Sequence, residues 1–153
     1  MPQQNQTPEQ NKQVVQRFVD ECWNQGNFQK ISEYLTDQVR FHDPAFPHLN
    51  AGIRNARKHI EGVRQAFPDL RIAIDDTIAE RNEVVTHWTV TGTHKGQFLG
   101  MQPTQRKCTL EGTTINRLEG GKITETHAHW NVASLLAQLG VTAVPQEVMS
   151  STR

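Results

Sequence analysis

Four polar side chains stand two apart near the end of the chain: Glu125, His127, His129 and Asn131, inside the stretch 120–140. Alternate residues of an extended strand share a face. The spacing therefore predicts one row of a carboxylate, two imidazoles and an amide, backed by Thr126, Ala128 and Trp130. An imidazole with an ordinary pKa of about 6.5 can take or give a proton at neutral pH. An amide has no useful basicity and can only hold an oxygen or a water. The chemistry this row can supply is proton transfer through His129 or His127, with Asn131 orienting the substrate. The bland alternative is a row of hydrogen-bonded polar residues with no catalytic duty. Two histidines at this spacing would also begin a metal site if Glu125, His87 or His42 completed it, but many strands share the spacing, and no metal is expected.

Other candidates lie apart in sequence. His42 and Asp43 open a segment, His42-Asp43-Pro44-Ala45-Phe46-Pro47-His48, whose two prolines exclude regular structure. It reads as a lid or a packed surface loop, offering His42 and Phe46 to a substrate. His87 and Trp88 fall in a strand-like run, and His94 closes it. Phe98 and Met101 lie in a connection, 95–105, punctuated by Gly96, Gly100 and Pro103. Arg106 could meet a negative substrate group. Each has a structural reading beside the functional one: aromatic residues fill cores, and charged residues at strand starts are solvated.

Positioning these groups needs a scaffold, and periodicity supplies one. Thr7-Pro8-Glu9-Gln10 is a helix start with a capping box. Val14, Val15, Phe18, Val19, Cys22 and Trp23 form an apolar stripe, ended by Gly26. A second, shorter helix capped by Asn27 carries Phe28, Ile31, Tyr34 and Leu35. Val39-Arg40-Phe41 reads as a short strand. A third helix follows Gly52, burying Ile53, Ala56, Ile60, Val63 and Phe67, and Pro68 stops it. The period then becomes two from Leu70 to about Ala79. Val84, Thr86, Trp88 and Val90 share one face of the next strand, opposite Val85, His87, Thr89 and Thr91. In the strand 108–118, Cys108, Leu110, Gly112 and Thr114 oppose Thr109, Glu111, Thr113 and Ile115. Gly120-Gly121 turns a hairpin into the polar row, and a short helix ends at Gly140. Helices followed by hairpin-joined strands predict an α+β domain over 7–141 with an antiparallel sheet, and tails at 1–6 and 142–153.

Composition narrows the partners. Lys plus Arg balance Asp plus Glu at 16 each, which argues against a polyanionic partner such as nucleic acid. No run approaches the roughly 18 apolar residues of a membrane span, and the N-terminus carries no signal-peptide pattern. Cys22 and Cys108 lack CxxC spacing and read as reduced thiols. A cytoplasmic protein is expected. GxGxxG, P-loop, GxSxG and HExxH patterns are absent, which leaves nucleotide-binding, serine-hydrolase and zinc-protease classes without support.

Several segments together carry a resemblance: Phe67-Pro68-Asp69-Leu70, the run from Gly92-Thr93-His94 to Leu99-Gly100, Pro103-Thr104, the run Arg117-Leu118-Glu119-Gly120-Gly121-Lys122-Ile123-Thr124-Glu125, and Leu135-Leu136-Ala137-Gln138-Leu139-Gly140. In order and spacing, over roughly 10–140, the chain resembles the SnoaL-like polyketide cyclase (ester cyclase) family of the NTF2-like superfamily. The resemblance implies a cone-shaped barrel, with N-terminal helices on a strongly curved sheet enclosing an apolar cavity. It also implies homodimers or homotetramers, no cofactor, and a hydrophobic carbonyl-bearing substrate. The family's base is an Asp just ahead of the Leu-Leu-x-Gln-Leu-Gly segment, in a pattern of Glu-His-Trp, three residues, then Asp. Glu125 matches, Thr126 and His127 replace His and Trp, and Asn131 stands at the base position. By parity with a cavity-facing base, His127 and His129 are expected to line the cavity, and one of them to replace the missing carboxylate. Cyclisation, isomerisation or a related lyase or hydrolase step would fit. The rivals are a non-catalytic small-molecule-binding domain and a cofactor-free hydroxylase.

Overall fold

The computed structural model describes residues 6–141. The expected tail 142–153, like residues 1–5, lies outside the described residues. Helix α1 (Pro8–Phe18) starts as its residues dictate: the Thr7 hydroxyl accepts from the Gln10 N–H, and the Gln10 side chain accepts from the Thr7 N–H. The helix continues into a wider, π-type turn, Val19–Asn24, with the Gln25 N–H reaching Asp20. Arg64 closes that turn by donating to the Trp23 and Asn24 carbonyls at 2.6 and 2.9 Å. Helix α2 is a single turn (Ile31–Tyr34), and strand β1 (Leu35–His42) follows at once. Helix α3 (Ile53–Ala66) leads to β2 (Arg71–Glu80), β3 (Glu83–Thr93), β4 (Lys107–Glu119), β5 (Lys122–Trp130) and α4 (Val132–Gln138).

The strands form one sheet ordered β1-β5-β4-β3-β2. Three pairings are antiparallel, while β1 lies parallel to β5, so the sheet is mixed rather than wholly antiparallel. The second helix and first strand differ from expectation. Leu35 begins the strand, and β1 is longer than 39–41 because pairing with β5 holds even its polar residues extended.

The core falls into two groups. One packs Val15, Phe18 and Cys22 against Leu35, Val39, Ile60, Val84, Leu118 and Ile123. The other gathers Phe67, Leu70, Phe98, Cys108, Leu135 and Leu139. A cavity of about 180 Å³ draws its lining from both groups and from the helix-facing side of the sheet. No helix among the described residues is long and apolar enough to cross a membrane.

Candidate active site

The inner face of the sheet is set by alternation and by one irregularity. On β3, Thr86, Trp88 and Val90 line the cavity, and on β4 Leu110, Thr114 and Asn116 do so, as the alternation of those strands predicts. The β4–β5 hairpin turns on Gly120 and Gly121, both with positive φ (56° and 78°), and pairs Glu119 with Lys122 and Leu118 with Ile123. Continued unchanged, this register would set His127 opposite Thr114, inside. Instead it shifts by one residue between Arg117 and Leu118, so Thr114 faces Ala128 and Asn116 faces Thr126. A one-residue slip moves every side chain to the other face.

The consequence is a correction to the expected site. Thr126, Ala128 and Trp130 line the cavity; His127 and His129 do not. His129 is exposed, and His127 belongs to a polar cluster on the outer face. Asn131 is also outside. It ends the strand, is exposed, and accepts a hydrogen bond from the Ser134 N–H at 3.0 Å as the cap of α4. An exposed capping amide neither faces the cavity nor orients anything within it.

The other expected contacts divide. Phe46, Trp88 and Phe98 line the cavity. Met101 packs beside it in the second core group without reaching the lining. His87 is exposed on the outer face, opposite Thr113. His94 is fully buried away from the cavity. Its Nδ1 accepts from the Thr104 N–H at 3.2 Å, its ring stacks on Phe67, and burial lowers its pKa. That makes it a strut between loop and core. Arg106 is exposed and lies against Gly140 at the end of α4. Glu125 is on the outer face with His42 and His127. The His42 Nε2 lies 3.1 Å from one Glu125 oxygen, and hydrogen bonding to His42 leads the causes that hold this carboxyl below its ordinary value. His42 borders the cavity, but its ring stacks on that of His127 at 4.2 Å on the other side of the sheet.

Two titratable groups do face the cavity, Asp43 and His59. Asp43 follows the end of β1 and is one residue past His42, hence on the opposite face. Its Oδ1 accepts from the Ala45 N–H at 2.9 Å and its Oδ2 from the Trp130 indole N–H at 3.2 Å. These bonds fix the carboxylate's orientation. The surface it keeps open faces the cavity, and desolvation there raises its pKa despite both hydrogen bonds, which act to lower it. A carboxylate so placed is a stronger base than one in water. His59 comes from α3 and is ringed by aromatic edges and faces. Its centroid lies 4.8 Å from that of Phe46, 5.9 Å from Trp23 and 6.3 Å from Phe41. Burial lowers its pKa to about 4, so the imidazole is neutral at pH 7 and carries one N–H donor.

Around these two groups the cavity is apolar, relieved by a few hydroxyls. The Trp88 indole N–H donates to Thr114 Oγ1 at 2.9 Å, which leaves the Thr114 O–H free to donate. A base, a neutral imidazole and threonine hydroxyls within an apolar chamber can remove a proton beside a carbonyl and hold the oxygen that gains charge.

Both groups had a signal in the sequence. Asp43 was part of the proline-bracketed segment, where its neighbour His42 drew attention instead. His59 lies three residues after Ala56 and four before Val63, so helical arithmetic puts it on the buried face of α3.

The family model for SnoaL-like polyketide cyclase matches residues 13–139. Solved structures repeat the fold. TsrD from Streptomyces laurentii is similar with a TM-score of 0.80 at 22% identity, over 88% of this chain and 98% of that one. AclR, a hydroxylase candidate from Streptomyces galilaeus, is 29% identical over 95% of this chain and 91% of its own, with a TM-score of 0.72. A polyketide cyclase candidate from Acidithiobacillus ferrooxidans is 25% identical over 86% of this chain and 94% of its own, with a TM-score of 0.77. No curated protein matches the sequence.

Proposed function

The chain belongs to the SnoaL-like polyketide cyclase family, and we propose that it is an enzyme that moves a proton on an apolar, carbonyl-bearing molecule held in the cavity. Asp43 is the base. The observation that carries this reading is a carboxylate facing an apolar chamber, oriented by two hydrogen bonds and made more basic by desolvation. The carboxylate takes a C–H proton flanked by carbonyl groups, and the developing enolate oxygen accepts from the His59 N–H or the Thr114 hydroxyl. Such donors are worth most in a chamber that excludes water. Closure of a ring by attack of the enolate on a second carbonyl, or return of the proton to another carbon, would complete a cyclisation or an isomerisation. The step draws on side chains alone.

The direct experiment incubates 1,3-dicarbonyl ligands with the protein in D2O and follows deuterium incorporation by NMR. Wild type incorporates deuterium and Asp43→Asn does not, while His127→Ala and His129→Ala match wild type. Equal rates in wild type and D43N would remove Asp43 from the role. Binding without any exchange would favour a pure binding domain, in which the bonds from Ala45 and Trp130 make Asp43 an anchor for its loop. A second reading, oxygen insertion, is supported by the similarity to AclR. It can begin from the same deprotonation, and oxygen uptake in the same assay separates it from cyclisation.

A further inference from the structure

The outer face of the sheet carries a second cluster that the cavity chemistry does not use. In the parallel pairing of β1 with β5, His42 stands in register with His127, and Glu125 precedes His127 by two residues on the same face. The strands thus bring together two imidazoles and a carboxylate from positions 83 and 85 residues apart in sequence. One ligand atom from each residue lies within 4.8 Å of the other two. His42 Nε2 is 3.1 Å from Glu125 Oε2, and His127 Nε2 is 3.4 Å from Glu125 Oε1. Bonds of about 2.0–2.1 Å from a tetrahedral ion to nitrogen and oxygen imply ligand-to-ligand edges of about 3.3–3.4 Å, close to both of these separations.

We propose that His42, Glu125 and His127 form a binding site for a divalent transition-metal ion of the zinc type on the outer face of the sheet.

Two imidazoles and a carboxylate are a borderline donor set that suits zinc, and three protein ligands leave the fourth position to water. Side-chain exposures of 46% for His42 and 42% for His127 give that position access to solvent. The two rings are stacked within 5° of parallel, so binding requires one of them to rotate until its Nε2 lone pair meets the ion. Their exposure leaves room for that rotation. The ion also displaces the N–H that now points at the carboxylate, moving it to Nδ1. Arg117 is the competing cation. Its Nη1 lies 3.4 Å from Glu125 Oε1, while its Nε is 4.0 Å from Glu83, which gives it an alternative partner when an ion arrives. Occupancy would tie the edge strand β1 to β5 at the residue just before Asp43, steadying the segment that carries the cavity carboxylate. The site itself does not depend on what that carboxylate does.

The test titrates the full chain, without any histidine tag, with Zn2+ by calorimetry and with Co2+ by absorption. One ion binds per chain, and His127→Ala and Glu125→Gln each weaken binding by about tenfold or more. His129→Ala and His87→Ala, outer-face histidines outside the cluster, leave affinity unchanged. His42→Ala serves as a second ligand deletion, with circular dichroism confirming the fold of each variant. The Co2+ spectrum lacks a thiolate charge-transfer band. Absence of binding, binding undiminished by H127A and H42A, or a thiolate band assigning the ion to Cys22 or Cys108 would each overturn the proposal.

Discussion

The two faces of β5 carry opposite chemistry within nine residues. The outer face holds Glu125, His127 and His129, rich in titratable groups and open to solvent, while the inner face holds only Thr126, Ala128 and Trp130. Yet the inner face borders the chamber where a reaction can be shielded from water. There the ionisable groups come from elsewhere: Asp43 from the loop after β1 and His59 from α3. Density of polar residues along a strand is therefore a poor guide to chemistry. A histidine in water is an ordinary imidazole, whereas burial holds His59 neutral down to a pKa of about 4 and raises the pKa of Asp43.

The largest expected effect separates the faces directly. Asp43→Asn should lower deuterium incorporation into a 1,3-dicarbonyl ligand by about 10²–10⁴-fold, the usual worth of a positioned base. His127→Ala and His129→Ala should leave the rate as it is. Because desolvation disfavours the Asp43 carboxylate, D43N should keep the wild-type melting temperature or raise it, as a thermal scan would show.

Next in size is a pH effect. His59 has a folded-state pKa of about 4 against an ordinary value of 6.5. The unfolded chain therefore binds a proton between these values that the folded chain refuses. Its contribution to stability is fully present above pH 6.5 and is lost as pH falls toward 4, to the extent of roughly 3 kcal/mol. Asp43, with its pKa raised, slopes the other way. The measurement is thus a difference: urea melts of wild type and His59→Phe at pH 7 and pH 4.5 should show wild type losing more stability than the variant.

A smaller effect tests how the inner wall is built. A Cβ at Gly112 would fall 2.3 Å from the Trp88 ring. Gly112→Ala should displace the indole from Thr114 and cost about 1–3 kcal/mol in urea denaturation, the range for overpacked cores. The smallest concerns Asn131. Asn131→Ala removes the cap of α4 and should cost about 0.5–2 kcal/mol, with no change in deuterium incorporation. Asn131→Asp keeps the cap and should add no cyclase activity, because the position faces solvent. New activity in N131D would break the division between the faces.

Much of the architecture could be read from residue order alone. The capping box at Thr7, the stop at Pro68, the alternation on β3 and β4, and the Gly120-Gly121 hairpin are local signals, and the structure keeps each of them. The length of β1 was hidden because Thr36, Asp37 and Gln38 are ordinary loop residues until β5 pairs alongside. Parity on β5 failed for a different reason. The register shift between Arg117 and Leu118 inverts every side chain beyond it, and no residue type near Thr124 announces the extra position. Asn131 compounded the error by standing at the family's base position while serving as a helix cap. His59 was legible by helical spacing, but a search for apolar stripes passes over a histidine.

The central claim is that the ligand meets the inner face of the sheet. Histidine side-chain NMR, with each ring assigned through single substitutions, tests it most directly when a 1,3-dicarbonyl ligand is added. The account predicts that the His59 signals move on ligand addition, and that in the free protein they stay those of a neutral imidazole down to about pH 4, while the His127 and His129 signals stay in place. Movement of His127 and His129 with His59 unchanged would place the ligand on the outer row and contradict the account.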